Sequence, residues 1–234
     1  MQGKLKAKWQ QIKRDTKFGQ LYEKYIGTKR LKRYEEKRRL ELQKHGYKLS
    51  QDICDLLSSY NTNVFLVFGN LLGIVRENSF LEWDDDLDFG VNINDSFTWE
   101  MLENELKKLN LKKIQEFSYN DKVIEQTYIR NRLRIDFFNH ENIGHNTFVY
   151  SCFRFNNEKY EDENEFSTIK HELPLINKYK TVNIKGYSLN IPEVSDEYFR
   201  IEYGNSWKTP DSSWNEIEFR NKFPHNEKGI RVEY

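Results

Sequence analysis

Apolar residues recur every three or four positions in some segments of the chain, and at every second position or continuously in others. Spacings of three and four predict amphipathic helices, at residues 4–46, 50–60, 71–76, 97–109 and 196–203. Short apolar or alternating runs bounded by turn residues predict strands, at residues 64–68, 87–93, 123–130, 133–138, 147–153 and 181–191. Helices and strands alternate first and several strands then follow one another, which favours an α+β fold with a mixed sheet flanked by helices.

The first 46 residues are strongly basic, although the whole chain carries no net charge. They contain 15 Lys and Arg against 5 Asp and Glu, whereas the remaining residues contain 22 against 32. We therefore divide the chain into a basic helical extension, residues 1–46, and a main domain, residues 47–234. The extension fits two interpretations: a solvated face packed on the acidic domain, or peripheral attachment to an anionic membrane surface. Nucleic acid is not expected as a partner, because binding to its backbone needs positive surface and the main domain is acidic.

Several classes of protein are not expected from this sequence. No apolar run reaches the roughly 18 residues of a membrane-spanning helix, and no apolar stretch follows the basic N-terminus as in a signal peptide. We therefore expect a cytoplasmic protein, with the inner face of the membrane as the place of any peripheral attachment. Cys54, Cys152 and the five histidines lack metal-binding spacing. We interpret the cysteines as reduced packing residues and the histidines as surface or structural residues.

Four aspartates fall within the five positions of Asp84-Asp85-Asp86-Leu87-Asp88. Asp is depleted in strands, yet the residues that follow this segment are strand-like. Because side chains alternate between the two faces of a strand, Asp84, Asp86 and Asp88 should share one face. Three carboxylates this close repel one another unless a cation lies among them, and oxygen ligands favour Mg²⁺ or Mn²⁺. A solvated acidic turn is the alternative interpretation.

Two further features favour the cation. Gly69 and Asn70 end an apolar strand, where glycine would let the backbone approach a phosphate and the following helix offers free N–H groups. Asp136 lies in another apolar strand, where an unpaired charge would be costly. We expect it to be a further metal ligand or a base, or else to pair with Arg132 or Arg134. The Gly-polar pair, the Asp-x-Asp strand and the later lone Asp resemble the signature of the nucleotidyltransferase fold.

Two longer motifs contain these residues or follow them. The first is Phe68-Gly69-Asn70-Leu71-Leu72-Gly73-Ile74-Val75-Arg76, then Phe80 and Trp83-Asp84-Asp85-Asp86-Leu87-Asp88, and the second is Tyr203-Gly204-Asn205-Ser206-Trp207-Lys208-Thr209-Pro210. They resemble F-G-T-L-L-G-x-x-R, W-D-D-D-h-D and Y-G-x-x-W-x-x-P of the LicD family, also called fukutin-related. The resemblance spans residues 60–214. Asn70 departs from the family pattern, which usually has Thr or Ser there, and residues 1–46 have no counterpart.

The resemblance implies a nucleotidyltransferase-fold catalytic domain over residues 47–234 and dependence on Mg²⁺ or Mn²⁺. Members of the family move a phosphorylated small group, such as phosphocholine or a polyol phosphate, from a CDP-activated donor to a sugar hydroxyl and release CMP. By resemblance, the metal ligands would be Asp84, Asp86 and Asp88. The catalytic carboxylates would be Asp86, Asp88 and Asp136. The residues that bind the donor would be Gly69, Asn70, Arg76, Trp207 and Lys208.

The resemblance also indicates partners and leaves two alternatives. The expected partners are a CDP-linked donor and a glycan or lipid-linked glycan acceptor, as in the synthesis of capsule, lipopolysaccharide or teichoic acid. The alternative enzyme is a nucleotidyltransferase that transfers NMP and releases pyrophosphate. The alternative without catalysis is a glycan-binding or assembly subunit. That alternative predicts a degraded acidic motif, whereas all the carboxylates are present here.

Overall fold

The computed structural model describes residues 28–155, 157–211, 213–220, 222–223 and 227–234. The helices in these residues are α1 (Thr28–Glu41), α2 (Tyr47–Leu57), α3 (Phe68–Glu77), α4 (Trp99–Lys107), α5 (Asp196–Tyr203) and α6 (Glu216–Arg220). The strands are β1 (Val64–Leu66), β2 (Asp86–Val91), β3 (Lys112–Tyr119), β4 (Lys122–Arg130), β5 (Leu133–Asn139), β6 (Glu141–Ile143), β7 (Asn146–Phe153), β8 (Glu165–Pro174), β9 (Tyr179–Ile184), β10 (Tyr187–Pro192) and β11 (Glu227–Glu233).

In the described residues, nine strands form one mixed sheet in the order β1-β2-β5-β4-β3-β11-β8-β7-β6, and β9 and β10 form a separate hairpin. Strands β2 and β5 run parallel, and the other neighbours in the large sheet run antiparallel. A parallel pair needs a long crossover, which consists here of α4 and the β3–β4 hairpin. This mixed sheet with flanking helices confirms the predicted α+β class.

The sheet curls until strands from its two halves approach each other. Strand β7 lies close to β4 and β5, although three strands separate β7 from β4 along the sheet. Strand β1 is buried along its whole length because β2, β10 and α2 adjoin it, which explains why its sequence is continuously apolar. The curl gathers strands that are distant in the sequence around one cleft.

Helices α1 and α2 are joined without a loop. Residues Leu42–Gly46 form a π-helical turn between them, where a Cβ atom on Gly46 would lie 2.6 Å from Leu42 Cδ1. The predicted start of a helix at Ser50 is wrong, because Ser50 lies buried within α2. Tyr47 secures the start of this helix: its ring stacks on Phe80 at 4.2 Å, and its hydroxyl accepts a hydrogen bond from the Phe80 N–H.

The basic N-terminal segment is described from residue 28 onward, so the prediction for residues 1–27 lies outside the described residues. Helix α1 exposes the basic side chains of Lys29, Arg30, Lys32, Arg33, Lys37 and Arg39. Another basic side chain of this helix, Arg38, instead contacts the acidic segment, residues 84–88, where it donates to the Asp85 carbonyl oxygen and the Asp86 carboxylate. Among the described helices, none combines the length and the apolar character that crossing a membrane requires.

Candidate active site

Three carboxylates from neighbouring strands converge at one point. In the parallel register of β2 and β5, Asp86 lies opposite Arg134 and Asp88 lies opposite Asp136. Alternate residues of a strand share a face, so Asp86, Asp88 and Asp136 project to the same side of the sheet. One carboxylate oxygen of each lies within 4.8 Å of the others. Hard divalent cations take oxygen ligands gathered in this way.

Asp84 lies beside this group rather than within it. Strand β2 begins only at Asp86, so Asp84 does not take part in the alternation that was expected to place it on the same face. Its carboxylate accepts a hydrogen bond from Asn70 Nδ2 at 3.2 Å. A Cβ atom on Gly69 would lie 3.0 Å from Asp84 Oδ1. Gly69 therefore makes room for a carboxylate of the protein itself.

Asn70 holds the acidic segment in place. Its side chain is completely buried in the first turn of α3. Nδ2 donates to the Asp84 carboxylate and to the Asp86 carbonyl oxygen, both at 3.2 Å, and Oδ1 accepts from the Asp88 N–H at 2.7 Å. An amide can make all three contacts, whereas the hydroxyl of Thr or Ser has a single donor. The departure from the family motif thus provides hydrogen bonds to the aspartates and their backbone.

Three aspartates of the acidic motif, Asp84, Asp86 and Asp88, have pKa values far above those of free side chains. Burial, followed by the nearby Asp86, raises the pKa of Asp84 to about 7. Burial, followed by Asp136, raises the pKa of Asp86 to about 7. Burial and the charge of Asp86 also raise the pKa of Asp88 well above its usual value. A divalent cation would reverse these shifts, because positive charge among carboxylates stabilises their ionised forms.

Two arginines compensate part of the negative charge. Arg134 Nε donates to Asp136 Oδ2 at 2.7 Å, and the Thr127 hydroxyl donates to the other oxygen of Asp136. Arg38 of helix α1 places its Nη2 atom 3.3 Å from Asp86 Oδ2. Asp136 therefore has both features that its sequence context suggested, an ion pair with Arg134 and a place among the carboxylates.

The carboxylates line a cleft of about 560 Å³ that also includes Arg76 and Trp207. Arg76 donates to the Trp207 carbonyl oxygen at 3.1 Å, which connects the two sequence motifs. The Trp207 ring stacks on Phe199 at 4.3 Å, so one of its faces is covered by the core. Lys208 is not among the described residues that line the cleft; it pairs with Asp196 at 2.8 Å, and its side chain is 70% exposed.

A buried series of polar side chains reaches the cleft at β7. Ser151 Oγ lies 2.6 Å from His171 Nε2, His171 Nδ1 lies 2.9 Å from Glu202 Oε1, and Arg220 donates to Glu202 Oε2 at 2.8 Å. All four side chains are buried, and Ser151, His171 and Arg220 line the cleft. Although burial alone would raise it, the nearby His171 and Arg220 lower the pKa of Glu202 to about 2.

Sequence reasoning missed this series, because its successive members are 20, 31 and 18 residues apart. The available signal was indirect. His171 alternates with Ile169 and Leu173 in β8, all three of them buried, so a polar side chain occupies an apolar face. A buried polar group needs a partner, and this requirement could have drawn attention to His171.

Comparison with known proteins shows one family. The family model described as "LicD/FKTN/FKRP, nucleotidyltransferase domain" matches residues 61–194, more than half of the chain. One similar protein is "Uncharacterized protein RP689" of Rickettsia prowazekii (strain Madrid E), which is 28% identical over 149 residues, or 62% of this chain and 50% of that protein. Another is "Uncharacterized protein RT0683" of Rickettsia typhi (strain ATCC VR-144 / Wilmington), which is 33% identical over 86 residues, or 36% of this chain and 26% of that protein. The chain therefore spans half or less of these relatives.

Proposed function

The chain belongs to the LicD/FKTN/FKRP family, and on this premise we propose that it transfers a phosphorylated small group from a CDP-activated donor to a hydroxyl of a cell-surface glycan. The transferred group would be phosphocholine or a polyol phosphate such as ribitol or glycerol phosphate, and CMP would leave. Family membership indicates a transferase of the phosphotransferase type that modifies glycans. The donor, the acceptor and the dependence on a metal are parts of the proposal.

The observation that carries the proposal is the convergence of Asp86, Asp88 and Asp136 in one cleft. Transfer of phosphoryl groups depends mainly on positioning and on stabilising the charge of phosphate oxygens. The cleft combines carboxylates that can hold a cation with two arginines, Arg76 and Arg134, that can contact phosphates. A solvated acidic turn would not meet a third carboxylate from another strand.

The oxygen ligands suit Mg²⁺ or Mn²⁺. Both cations prefer carboxylate oxygens, and the group offers two partly exposed aspartates, Asp86 and Asp88, with the buried Asp136 beside them. When bound, the cation would supply positive charge that neutralises the diphosphate oxygens and the leaving CMP. Asp84 adjoins the group and adds to the negative charge that attracts the cation.

The chain's own residues position the donor around these carboxylates. Arg134 orients Asp136 through the hydrogen bond at 2.7 Å. Arg76 lines the cleft and donates to Glu77 and to the Trp207 carbonyl oxygen; we assign its remaining N–H groups to the donor's phosphates. Lys208 is not among the described residues that line the cleft and pairs with Asp196, so we assign it no contact with the donor.

The test is an incubation of the purified chain with Mg²⁺ or Mn²⁺ and CDP-choline, CDP-ribitol, CDP-glycerol or CDP-ethanolamine. The expected result is metal-dependent release of CMP from one donor, lost in Asp88→Asn and retained in Asp95→Asn, which changes an exposed aspartate outside the cleft. Release of pyrophosphate from a nucleoside triphosphate, without CMP from any CDP donor, would establish the NMP transferase instead. Binding of glycans with neither product would indicate an assembly subunit.

A further inference from the structure

A hydrogen-bonded series leads from the wall of the cleft into the core. Ser151 Oγ lies 2.6 Å from His171 Nε2, and His171 Nδ1 lies 2.9 Å from Glu202 Oε1. A carboxylate at Nδ1 holds the imidazole in the tautomer whose Nε2 can accept a proton from the serine hydroxyl. We propose that Ser151, His171 and Glu202, here named the relay, accept the proton of the attacking sugar hydroxyl. This inference rests on the proposed transfer reaction.

The relay lies near the converging carboxylates. The Phe68 ring is 5.8 Å from the His171 ring and 5.0 Å from the Phe138 ring, and Phe138 follows Asp136 by two residues on β5. Ser151, His171 and Asp136 line the same cleft, because the curl of the sheet brings β7 close to β5. A sugar hydroxyl bound in this cleft could therefore meet both the relay and the donor's phosphate.

The carboxylates themselves are poorly suited to accept this proton. Both oxygens of Asp136 already accept hydrogen bonds, from Thr127 and Arg134, so its remaining lone pairs are the ones available to the cation. A cation held by Asp86 and Asp88 would draw electron density from their oxygens and make them weaker bases. A neutral imidazole keeps a basic lone pair at Nε2 and does not compete for the cation here, since the serine hydroxyl stands in front of it.

The proposed step is balanced in atoms and charge. The sugar hydroxyl passes its proton to Ser151 Oγ while the Ser151 proton passes to His171 Nε2, so Ser151 ends the step as a hydroxyl. The sugar oxygen uses its electron pair to form a bond to the phosphorus distal to the nucleoside. The bond between that phosphorus and the bridging oxygen breaks, and CMP leaves with the electron pair. Glu202 stabilises the imidazolium that forms.

Charged and titratable groups approach His171 from each element packed around it. Glu202 faces its Nδ1 from α5, and Arg220 of α6 binds the other oxygen of Glu202 at 2.8 Å. His140, which follows β5, interacts electrostatically with both Glu202 and His171, and Tyr198 of α5 interacts with Glu202 and Arg220. Arg220 keeps Glu202 ionised, so the carboxylate is ready to stabilise a charged imidazole.

The experiment compares Ser151→Ala and His171→Gln with Ser167→Ala. The control removes another buried serine hydroxyl, from β8, which does not line the cleft. The purified full chain is assayed for Mg²⁺-dependent CMP release from the donor that the wild type uses, with water and a panel of methyl glycosides as acceptors. We expect kcat to fall by about 100-fold in Ser151→Ala and His171→Gln, with KM for the donor nearly unchanged and Ser167→Ala close to wild type.

The split between kcat and KM separates a relay from a purely structural support. Ser151→Ala should lose kcat while its KM for the donor and its free energy of unfolding in urea stay close to those of Ser167→Ala, whereas damage to the fold would change all three. Should His171→Gln fail to fold, Ser151→Ala still decides, because it removes a single oxygen. Turnover in Ser151→Ala equal to that of Ser167→Ala would overturn the relay and leave the proposed function standing. No CMP release from the wild type with any donor would refute the proposed function and the relay with it.

Discussion

Replacement of Asp86 by Asn should stabilise the metal-free protein while abolishing its metal-dependent activity. Asp86 stands among like charges, and Asn keeps its shape without a charge. The variant therefore relieves repulsion that the wild-type fold must tolerate whenever no cation is bound. The variant should be more stable without metal and yet inactive, whereas damage to the fold would lower both stability and activity.

The magnitude follows from the pKa of Asp86, which burial, and then Asp136, raise from 3.8 to about 7. The unfolded chain loses this proton first, so the metal-free fold loses stability as the pH rises from about 4 to 7, and the whole penalty is present above pH 7. The difference between the two pKa values corresponds to about 4 kcal/mol. The side chain is 32% exposed and pairs with Arg38, so screening and the lost ion pair reduce the expected gain to about 1–3 kcal/mol.

Urea unfolding at pH 8 in EDTA measures this gain, with Asp95→Asn as an exposed control. Excess Mg²⁺ should reverse the order, because binding to the folded wild type adds to its stability and the variant binds weakly. The reasoning is refuted by a variant that is no more stable than wild type in EDTA at pH 8. It is equally refuted when the difference between the two does not grow from pH 5 to pH 8.

Three further predictions concern Asn70, Gly69 and Glu202. Asn70→Ala removes three hydrogen bonds and leaves the part-buried Asp88 N–H without its partner, so the free energy of unfolding in urea should fall by about 2–4 kcal/mol; a fall below about 1 kcal/mol would contradict its positioning role. Gly69→Ala places a Cβ atom 3.0 Å from Asp84 Oδ1 and should weaken Mg²⁺ binding by about tenfold in calorimetry, whereas unchanged affinity would show that Asp84 can move freely. Glu202 has its pKa lowered to about 2, despite burial, by His171 and Arg220, so the wild type should lose stability as the pH falls from about 4.5 to 2, because the unfolded chain takes up the proton first. Glu202→Gln should be about 2 kcal/mol less stable at pH 7 and lack this contribution to the acid slope in urea titrations; equal slopes would refute the assignment.

The sequence predicted the half of the sheet that contains β2 and β5 better than the half that contains β8 and β11. Strands β1, β2 and β5 are mostly buried on both faces, so apolar runs between turn residues identify them. Strands β3, β8 and β11 were not predicted. In β3 and β11 most side chains are at least partly exposed, and β8 places His171 on its buried face. None of these three strands therefore shows a sustained apolar period in its sequence.

At the site, predictability depends on whether a contact is local. The shared face of Asp86 and Asp88 follows from strand alternation alone. The place of Asp84 and the three hydrogen bonds of Asn70 depend on how α3 packs against the start of β2, which spacing along the chain does not encode. The series from Ser151 to Arg220 joins two strands and two helices, and pairs of this kind follow only from tertiary packing.

The parallel pairing of β2 with β5 also determines when the site can form during folding. The crossover between them contains a helix and a hairpin, whereas β3, β4 and β5 are neighbours in the chain as well as in the sheet. Short loops close at lower entropic cost than long ones, so β3, β4 and β5 should pair first and β2 should dock afterwards. Pulse-labelled hydrogen exchange should then show protection of β2 amides after those of β4. The carboxylate ligands of a divalent cation would therefore come together only at that late stage. Binding of the cation would stabilise the completed fold and would not initiate folding.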